Sequence, residues 1–351
     1  MKKFTFTILG ILFALYGFSQ ETDTINTILI AENQEAQLAY NDGVTYFNSR
    51  NYEQALIKFD EAIKYDPKFA QAYFNRAETK IETGKVKEGI ADLLITLDLN
   101  SNNANAYFRL GHAYFLTDDY QKSISAFDEA QNKGYNKENM FYYRGVAYFQ
   151  KEKYDEAIKD FDQAVSINPN YAYAYNDRGS AKRKKENIDG AIEDYKNATR
   201  VDPQFSIAFN NLGSCYRKQK NYTESIMAYD RAIKIDDKYY MAFNNRGSAK
   251  YENKDYKGAI EDFRKATEIN KDYAYAFNNL GTAFLRDKQY ENALKAFNSA
   301  IELNPKYTAA YANRGSAKEM LKDLKGACQD WQKAVDMGIP NPNAYLINCE
   351  N

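Results

Sequence analysis

The chain has 351 residues, with Lys plus Arg at 47, Asp plus Glu at 48 and a formal net charge of −1. That balance provides no basic footprint for nucleic acid or for an anionic membrane surface, and the length exceeds what one ordinary core fills. A single histidine and three cysteines leave little material for His-based catalysis or a Cys/His metal site.

Residues 1–19 read as a secretory signal. Lys2 and Lys3 form a positive start, Phe4 to Phe18 is mostly apolar, and Gly17 and Ser19 are the small residues expected before a cut between Ser19 and Gln20. The apolar run is short for a spanning helix, and an uncleaved anchor is the alternative. No cysteine lies near the cut, which argues against a lipoprotein anchor. Residues 20–35 are mostly polar and are expected to be flexible. Export implies a periplasmic, envelope or secreted location.

From Ala36 to Asn341 a period of 34 residues runs without slippage. Nine units result: 36–69, 70–103, 104–137, 138–171, 172–205, 206–239, 240–273, 274–307 and 308–341. Within a unit, position 4 is usually aromatic, from Tyr73 to Tyr311. Position 8 is glycine, from Gly43 to Gly315, with Ala77 the exception. Position 20 is small, position 24 is large and mostly aromatic (Phe59 to Trp331), and position 27 is Ala in all units but the second, which has Thr96. Offsets 4, 8 and 11 place a stripe on one helix, and 20, 24 and 27 place one on a second. Small residues at 8 and 20 let the two backbones approach. Asn and Asp near positions 31 and 32, often with proline, end the second helix. Each unit is therefore a helical hairpin that must stack on its neighbours to bury its face.

These residues carry a resemblance. The unit 206–239, with Phe209, Leu212, Gly213, Tyr216, Tyr229 and Ala232, is similar to the tetratricopeptide repeat, and the likeness covers all nine units. Ser225 and Asp237 are mild departures, and the second unit, with Ala77, Gly89 and Thr96, is the weakest. The resemblance implies an all-α fold, a right-handed α-solenoid superhelix of tandem helix-turn-helix repeats, with the first helices lining a concave groove. It also implies a non-catalytic scaffold for a peptide or protein partner. The family's carboxylate clamp is not matched: Lys80, Lys182, Lys250 and Lys318 stand at position 11, inside the repeat packing.

Positions 7 and 23 vary together. Arg76, Arg144, Arg178, Arg246 and Arg314 go with Asp92, Asp160, Asp194, Asp262 and Asp330; Leu110, Leu212 and Leu280 go with Ala126, Ala228 and Ala296. The first unit has Asp42 with Lys58. The spacing predicts contact between the two helices of a unit, as structural ion pairs or apolar pairs.

Asparagine is concentrated at positions 5 and 6: Asn176, Asn210, Asn211, Asn244, Asn245, Asn278, Asn279 and Asn313, with Asn41 and Asn75 earlier. Both positions leave the apolar stripe and are expected to face the groove. An amide side chain both donates and accepts, so such a ladder could bind an extended peptide backbone without reading much sequence. The alternative is bonding between neighbouring helices. Ser180, Ser214, Ser248, Thr282 and Ser316 at position 9, and Tyr173, Ile207, Met241 and Tyr275 at position 2, are expected beside the ladder. His112, at position 9 of the third unit, could line the same face; a solvated or hydrogen-bonded histidine is the alternative.

Cys328 and Cys349 are 21 residues apart, and a disulfide between them or free thiols are both open. Cys215 reads as a small core residue. Residues 342–351 are expected to cap the array, with Tyr345 in the aromatic slot of a tenth unit. No phosphate-loop, nucleophile-elbow, H-E-x-x-H or C-x-x-C motif occurs. No cofactor, metal site or enzymatic activity is expected. Partners expected are protein or peptide, without nucleic acid and with no integral membrane span after cleavage. An assembly subunit of an envelope or secretion complex, and a glycan-binding surface built on Tyr and Asn, are the competing readings.

Overall fold

The computed structural model describes residues 33–340, together with Leu346 and Cys349. The expected leader, most of the segment 20–35, and Tyr345 lie outside the described residues. The chain divides into two bodies, one ending at Lys185 and the other beginning at Glu186.

In the first body α1 (Gln34–Asn48), α3 (Ala70–Glu82), α5 (Ala104–Leu116), α7 (Glu138–Gln150) and α9 (Ala172–Lys184) are first helices of units. Their second helices are α2 (Tyr52–Tyr65), α4 (Val86–Leu99), α6 (Tyr120–Asn132) and α8 (Tyr154–Ile167). The second body holds α10 (Ile188–Val201), then α11 (Ser206–Lys218), α12 (Tyr222–Ile235), α13 (Tyr240–Glu252), α14 (Tyr256–Ile269), α15 (Ala274–Arg286), α16 (Tyr290–Leu303), α17 (Thr308–Met320) and α18 (Leu324–Asp336). Within each body, every second helix packs on the first helix of its own unit and on that of the next unit wherever the body holds them, and consecutive first helices also touch. The described residues contain helices and no strands. Each body is an α-solenoid of tandem helix–turn–helix units.

Position 15 ends every first helix in the left-handed region. Arg50, Asp118, Glu152, Glu186, Lys220, Lys254, Lys288 and Lys322 have φ between 58° and 67°, and Gly84 has 79°. The amide of the following residue then reaches back to close the helix: Asn51 N–H donates to Tyr46 O and Arg50 N–H to Phe47 O, both at 2.9 Å. That pattern satisfies two orphan carbonyls in one step. Position 16 then caps the next helix, as Asn51, Asp119, Asn187, Asp255 and Asp323 accept from amides three residues on. Two residues thus turn the chain.

Core packing follows the small-against-large pattern. A Cβ built on Gly281 would lie 2.6 Å from the Phe297 ring, and one on Gly111 would lie 2.6 Å from Phe127. The second unit departs consistently. Ala77 replaces the glycine, Leu93 replaces the ring, and Gly89 gives back the space, since a Cβ there would sit 2.7 Å from Ile81. Cys215 is fully buried. Cys349 is joined to Cys328 of α18 by a disulfide, with Cα atoms 5.6 Å apart.

Candidate functional site

The residues at positions 7 and 23 meet between the two helices of a unit. Arg76, Arg144, Arg246 and Arg314 each bond Asp92, Asp160, Asp262 and Asp330 through Nε and Nη2, at 2.5–2.9 Å. Arg178 and Asp194 fall in different bodies. In the apolar units Leu110 and Ala126, Leu212 and Ala228, and Leu280 and Ala296 share core clusters. Lys58 lies 3.8 Å from Asp42.

Three features of these arginines are additional. Nη1 reaches back to the preceding unit: Arg76 to Asp60, Arg144 to Asp128, Arg178 to Asp162, Arg246 to Asp230 and Arg314 to Asn298, at 2.6–2.8 Å. The guanidinium also lies over the ring at position 4, 5.2–5.6 Å from its centroid. Lys80, Lys250 and Lys318 add a second cation to Asp92, Asp262 and Asp330. These charges are consumed in structure. Burial opposes the charge on Arg144, and the hydrogen bond and charge of Asp160 together with the charge of Asp128 outweigh it, so its pKa is raised; burial, with the charge of Asp128, pushes Asp160 up against the pull of Arg144.

The asparagine face divides by position. Asn176, Asn210, Asn244 and Asn278, at position 5, are buried, whereas Asn245, Asn279 and Asn313, at position 6, are partly exposed. The expectation that both positions face outward therefore describes position 6 better than position 5. Asn245 Nδ2 donates to Asn210 Oδ1, Asn279 to Asn244 and Asn313 to Asn278, at 2.9–3.0 Å and always 35 residues apart. Each pair thus bonds consecutive first helices. One N–H-bearing amide nitrogen and one carbonyl oxygen per pair remain outside that bond, whichever way the amides are turned. The hydroxyls of Ser214, Ser248, Thr282 and Ser316 donate to carbonyls one turn back in their own helices. Asn211, at position 6, is partly exposed. Asn176 Nδ2 donates to Asp177 Oδ1 at 2.9 Å.

The first body makes the same inter-unit contact with other chemistry. Asn75 Nδ2 donates to Tyr40 Oη, and Tyr142 Oη donates to Asp177 Oδ2, both at 2.9 Å. Arg109 pairs with buried Glu78. His112 stands 4.7 Å from Tyr143, ring to ring, and near Phe108, with Nδ1 buried and unbonded. Burial, then the charge on Arg109, lowers its pKa to about 3. It is a neutral ring within an aromatic cluster. Burial pushes Asp177 up to about 6 against the bonds from Tyr142 and Asn176.

Tandem two-helix units, a polar face on the first helices and, among the described residues, no cluster of metal-binding side chains define an α-helical repeat scaffold. Family models for the tetratricopeptide repeat match residues 40–88, 77–138, 139–171, 176–240 and 274–307, and one for a TPR repeat matches 247–288. The chain belongs to the tetratricopeptide repeat family, a scaffold for protein–protein interaction. It is 29% identical over 93 residues to a DnaJ homolog subfamily C member 7 homolog of Dictyostelium discoideum, covering 25% of this chain and 17% of that one. It is 30% identical over 87 residues to Hsp70-Hsp90 organizing protein 3 of Arabidopsis thaliana, covering 25% and 16%. The chain thus spans less than a fifth of the length of these relatives. The C-terminal part of a TPR repeat-containing protein of Cytophaga hutchinsonii aligns with a TM-score of 0.56 at 22% identity, covering 68% of this chain and 97% of that one, a likeness of fold.

Proposed function

We propose that the protein holds an extended peptide of a protein partner against the first helices α11, α13, α15 and α17. The observation that carries this reading is the run of Asn210–Asn245, Asn244–Asn279 and Asn278–Asn313 pairs. A peptide backbone offers alternating N–H and C=O groups, and the partly exposed member of each pair, at position 6, keeps a polar amide atom outside the bond between helices. Because the helices are already bonded through these amides, the donors and acceptors are held in place before a ligand arrives, which lowers the ordering cost of binding.

An array of unrelated extended peptides, each made also with alternate backbone amides N-methylated, tests this. Binding that tolerates side-chain changes but is lost on methylation is expected. Asn245→Ala combined with Asn279→Ala is expected to weaken it by at least about tenfold, the worth of one or two buried bonds. Equal binding of methylated and unmethylated peptides would overturn the backbone reading.

A second reading has its own support. Tyr240, Tyr273, Tyr275 and Tyr307 form a strip with ring centroids 5.0, 5.8 and 5.1 Å apart. Aromatic faces with wet hydroxyls suit stacking on a glycan. Retention on polysaccharide resin, lost with Tyr275→Ala, is its test. We also propose that the protein is exported; the Cys328–Cys349 disulfide supports an oxidising compartment. Subcellular fractionation that finds the mature chain in the cytosol would reject this.

A further inference from the structure

The turn entering the sixth unit leaves a cavity of about 510 Å³, lined by Pro203, Gln204, Phe209, Arg231, Lys234 and Ile235. Pro203 and Gln204 come from the turn, Phe209 from the first turn of α11, and the other three from the last turns of α12. None belongs to the asparagine pairs. Its lining combines the apolar Pro203, Phe209 and Ile235 with two basic side chains, three residues apart on one helix.

Those two cations have no counterion among the described residues. Arg231 and Lys234 are exposed. Of the carboxylates nearest in sequence, Asp230 pairs with Arg246 at 2.6 Å, and Asp237 forms no ion pair with either cation among the described residues. Asp202 Oδ1 accepts from Gln204 N–H at 2.9 Å, and Asp236 Oδ1 from Lys238 N–H at 3.0 Å.

The repeat provides an internal control. Arg231 and Lys234 stand at positions 26 and 29, and only the sixth unit is basic at both. In the fifth unit Arg200 Nη2 donates to Asn197 at 2.8 Å, and in the seventh Lys265 faces Glu268 at 3.6 Å. The C-terminal helix dipole favours cations on this turn. That accounts for their position on α12, but not for the apolar cavity between them and the turn.

We propose that this pocket receives a carboxylate of a peptide ligand between Arg231 and Lys234, with the adjoining apolar side chain against Phe209, Pro203 and Ile235. Internal Glu or Asp side chains and a chain-terminal carboxylate present the same group. The site is separate from the asparagine face, so it acts independently of the backbone contacts proposed there. Partly exposed charges are screened by salt, so the contact is salt-sensitive.

Backbone amide shifts of the full chain report it directly. The probes are acetyl-Gly-Leu-Glu-Gly-amide, acetyl-Gly-Gly-Leu with a free carboxylate, and the neutral acetyl-Gly-Leu-Gln-Gly-amide. Saturable shifts at Phe209 and Ile235 are expected with one or both carboxylate peptides, and whichever binds identifies the source. Binding is expected to be at least about tenfold weaker for the neutral peptide and for Arg231→Gln with Lys234→Gln, and weaker again at about 300 mM salt. Asn245→Ala is expected to leave these shifts unchanged, which separates this site from the asparagine face. Equal binding of the neutral peptide, or no shift at Phe209 and Ile235 with either carboxylate peptide at millimolar concentration, would overturn the proposal. Both cations are exposed, so the double variant folds, and an unchanged melting temperature verifies that.

Discussion

Arg144 clasps Asp160 through two parallel N–H donors, Nε to Oδ2 and Nη2 to Oδ1, each at 2.8 Å, and both residues are buried. Removing one partner strands the other's charge, at a cost of about 3–5 kcal/mol. The apolar units show the replacement: Leu110 against Ala126 occupies the same two positions. Arg144→Leu and Asp160→Ala are each expected to lower the stability of the first body by that amount. The double variant is expected to recover most of it. Urea melts of all four proteins measure the coupling, and additive single effects would mean that the pair is not the unit of stability.

Gly281 faces Phe297 so closely that an added Cβ would sit 2.6 Å from the ring. Gly281→Ala is expected to cost about 1–3 kcal/mol through overpacking, despite alanine's better helix propensity. Phe297→Leu in the same chain is expected to relieve part of that strain, as Leu93 does opposite Ala77. Thermal melts of the single and double variants check it.

Lys254 holds φ at 67° in the helix-ending position where Gly84 holds 79°. A side chain is disfavoured there, so Lys254→Gly is expected to stabilise the second body by about 1 kcal/mol. Gly84→Ala is expected to destabilise the first body by a similar amount. Denaturant midpoints should move in opposite directions for the two changes.

His112 is the only histidine of the chain, so its imidazole resonance in the untagged protein reads one site. Burial, then Arg109, lowers its pKa to about 3 from 6.5. The unfolded chain takes up a proton that the folded chain refuses. Stability from this group is therefore full above 6.5 and is lost as pH falls toward 3, with a limiting slope of about 1.4 kcal/mol per pH unit. His112→Gln is expected to flatten that slope. Asp177 acts oppositely. Burial raises its pKa to about 6 from 3.8, so the folded chain holds the extra proton and stability declines as pH rises through that window. Asp177→Asn is expected to remove the decline. An imidazole midpoint near 6.5 would contradict the burial of His112.

Reduction of the Cys328–Cys349 bond frees a 21-residue separation. By loop-closure entropy that is worth about 3 kcal/mol, confined to the last unit. Hydrogen exchange in α18 is expected to quicken with reductant while α11 to α14 stay unchanged.

Much of this architecture is readable in the sequence because the chain compares itself with itself nine times. The joint variation of Arg246 with Asp262 and Leu280 with Ala296 marks a contact that one unit alone would not reveal. The second acid on each arginine was equally readable: Asp60, Asp128, Asp162 and Asp230, with Asn298, stand 16 residues before an arginine, whereas Leu94, Lys196 and Arg264 stand before a leucine. The burial of Asn210, Asn244 and Asn278 was not readable. An amide satisfied by a neighbouring helix and one turned to water leave the same letter in the same register. His112 is similar, since its neutrality depends on Phe108, Tyr143 and Arg109 closing around it. The cavity beside Arg231 depends on the absence of counterions, which spacing alone does not show.

The reach of Arg246 and Arg314 into the unit before them imposes a rule of succession on the modules. An arginine unit must follow one that offers an acid or amide at position 25, as Asp230 and Asn298 do. Excising residues 274–307 would set Arg264 against Arg314, a repulsive junction. Excising 240–307 would instead set Asp230 against Arg314, reproducing a junction the chain already uses, and would leave Asn210 to accept from Asn313. The portable block for shortening or lengthening this array is therefore two hairpins rather than one.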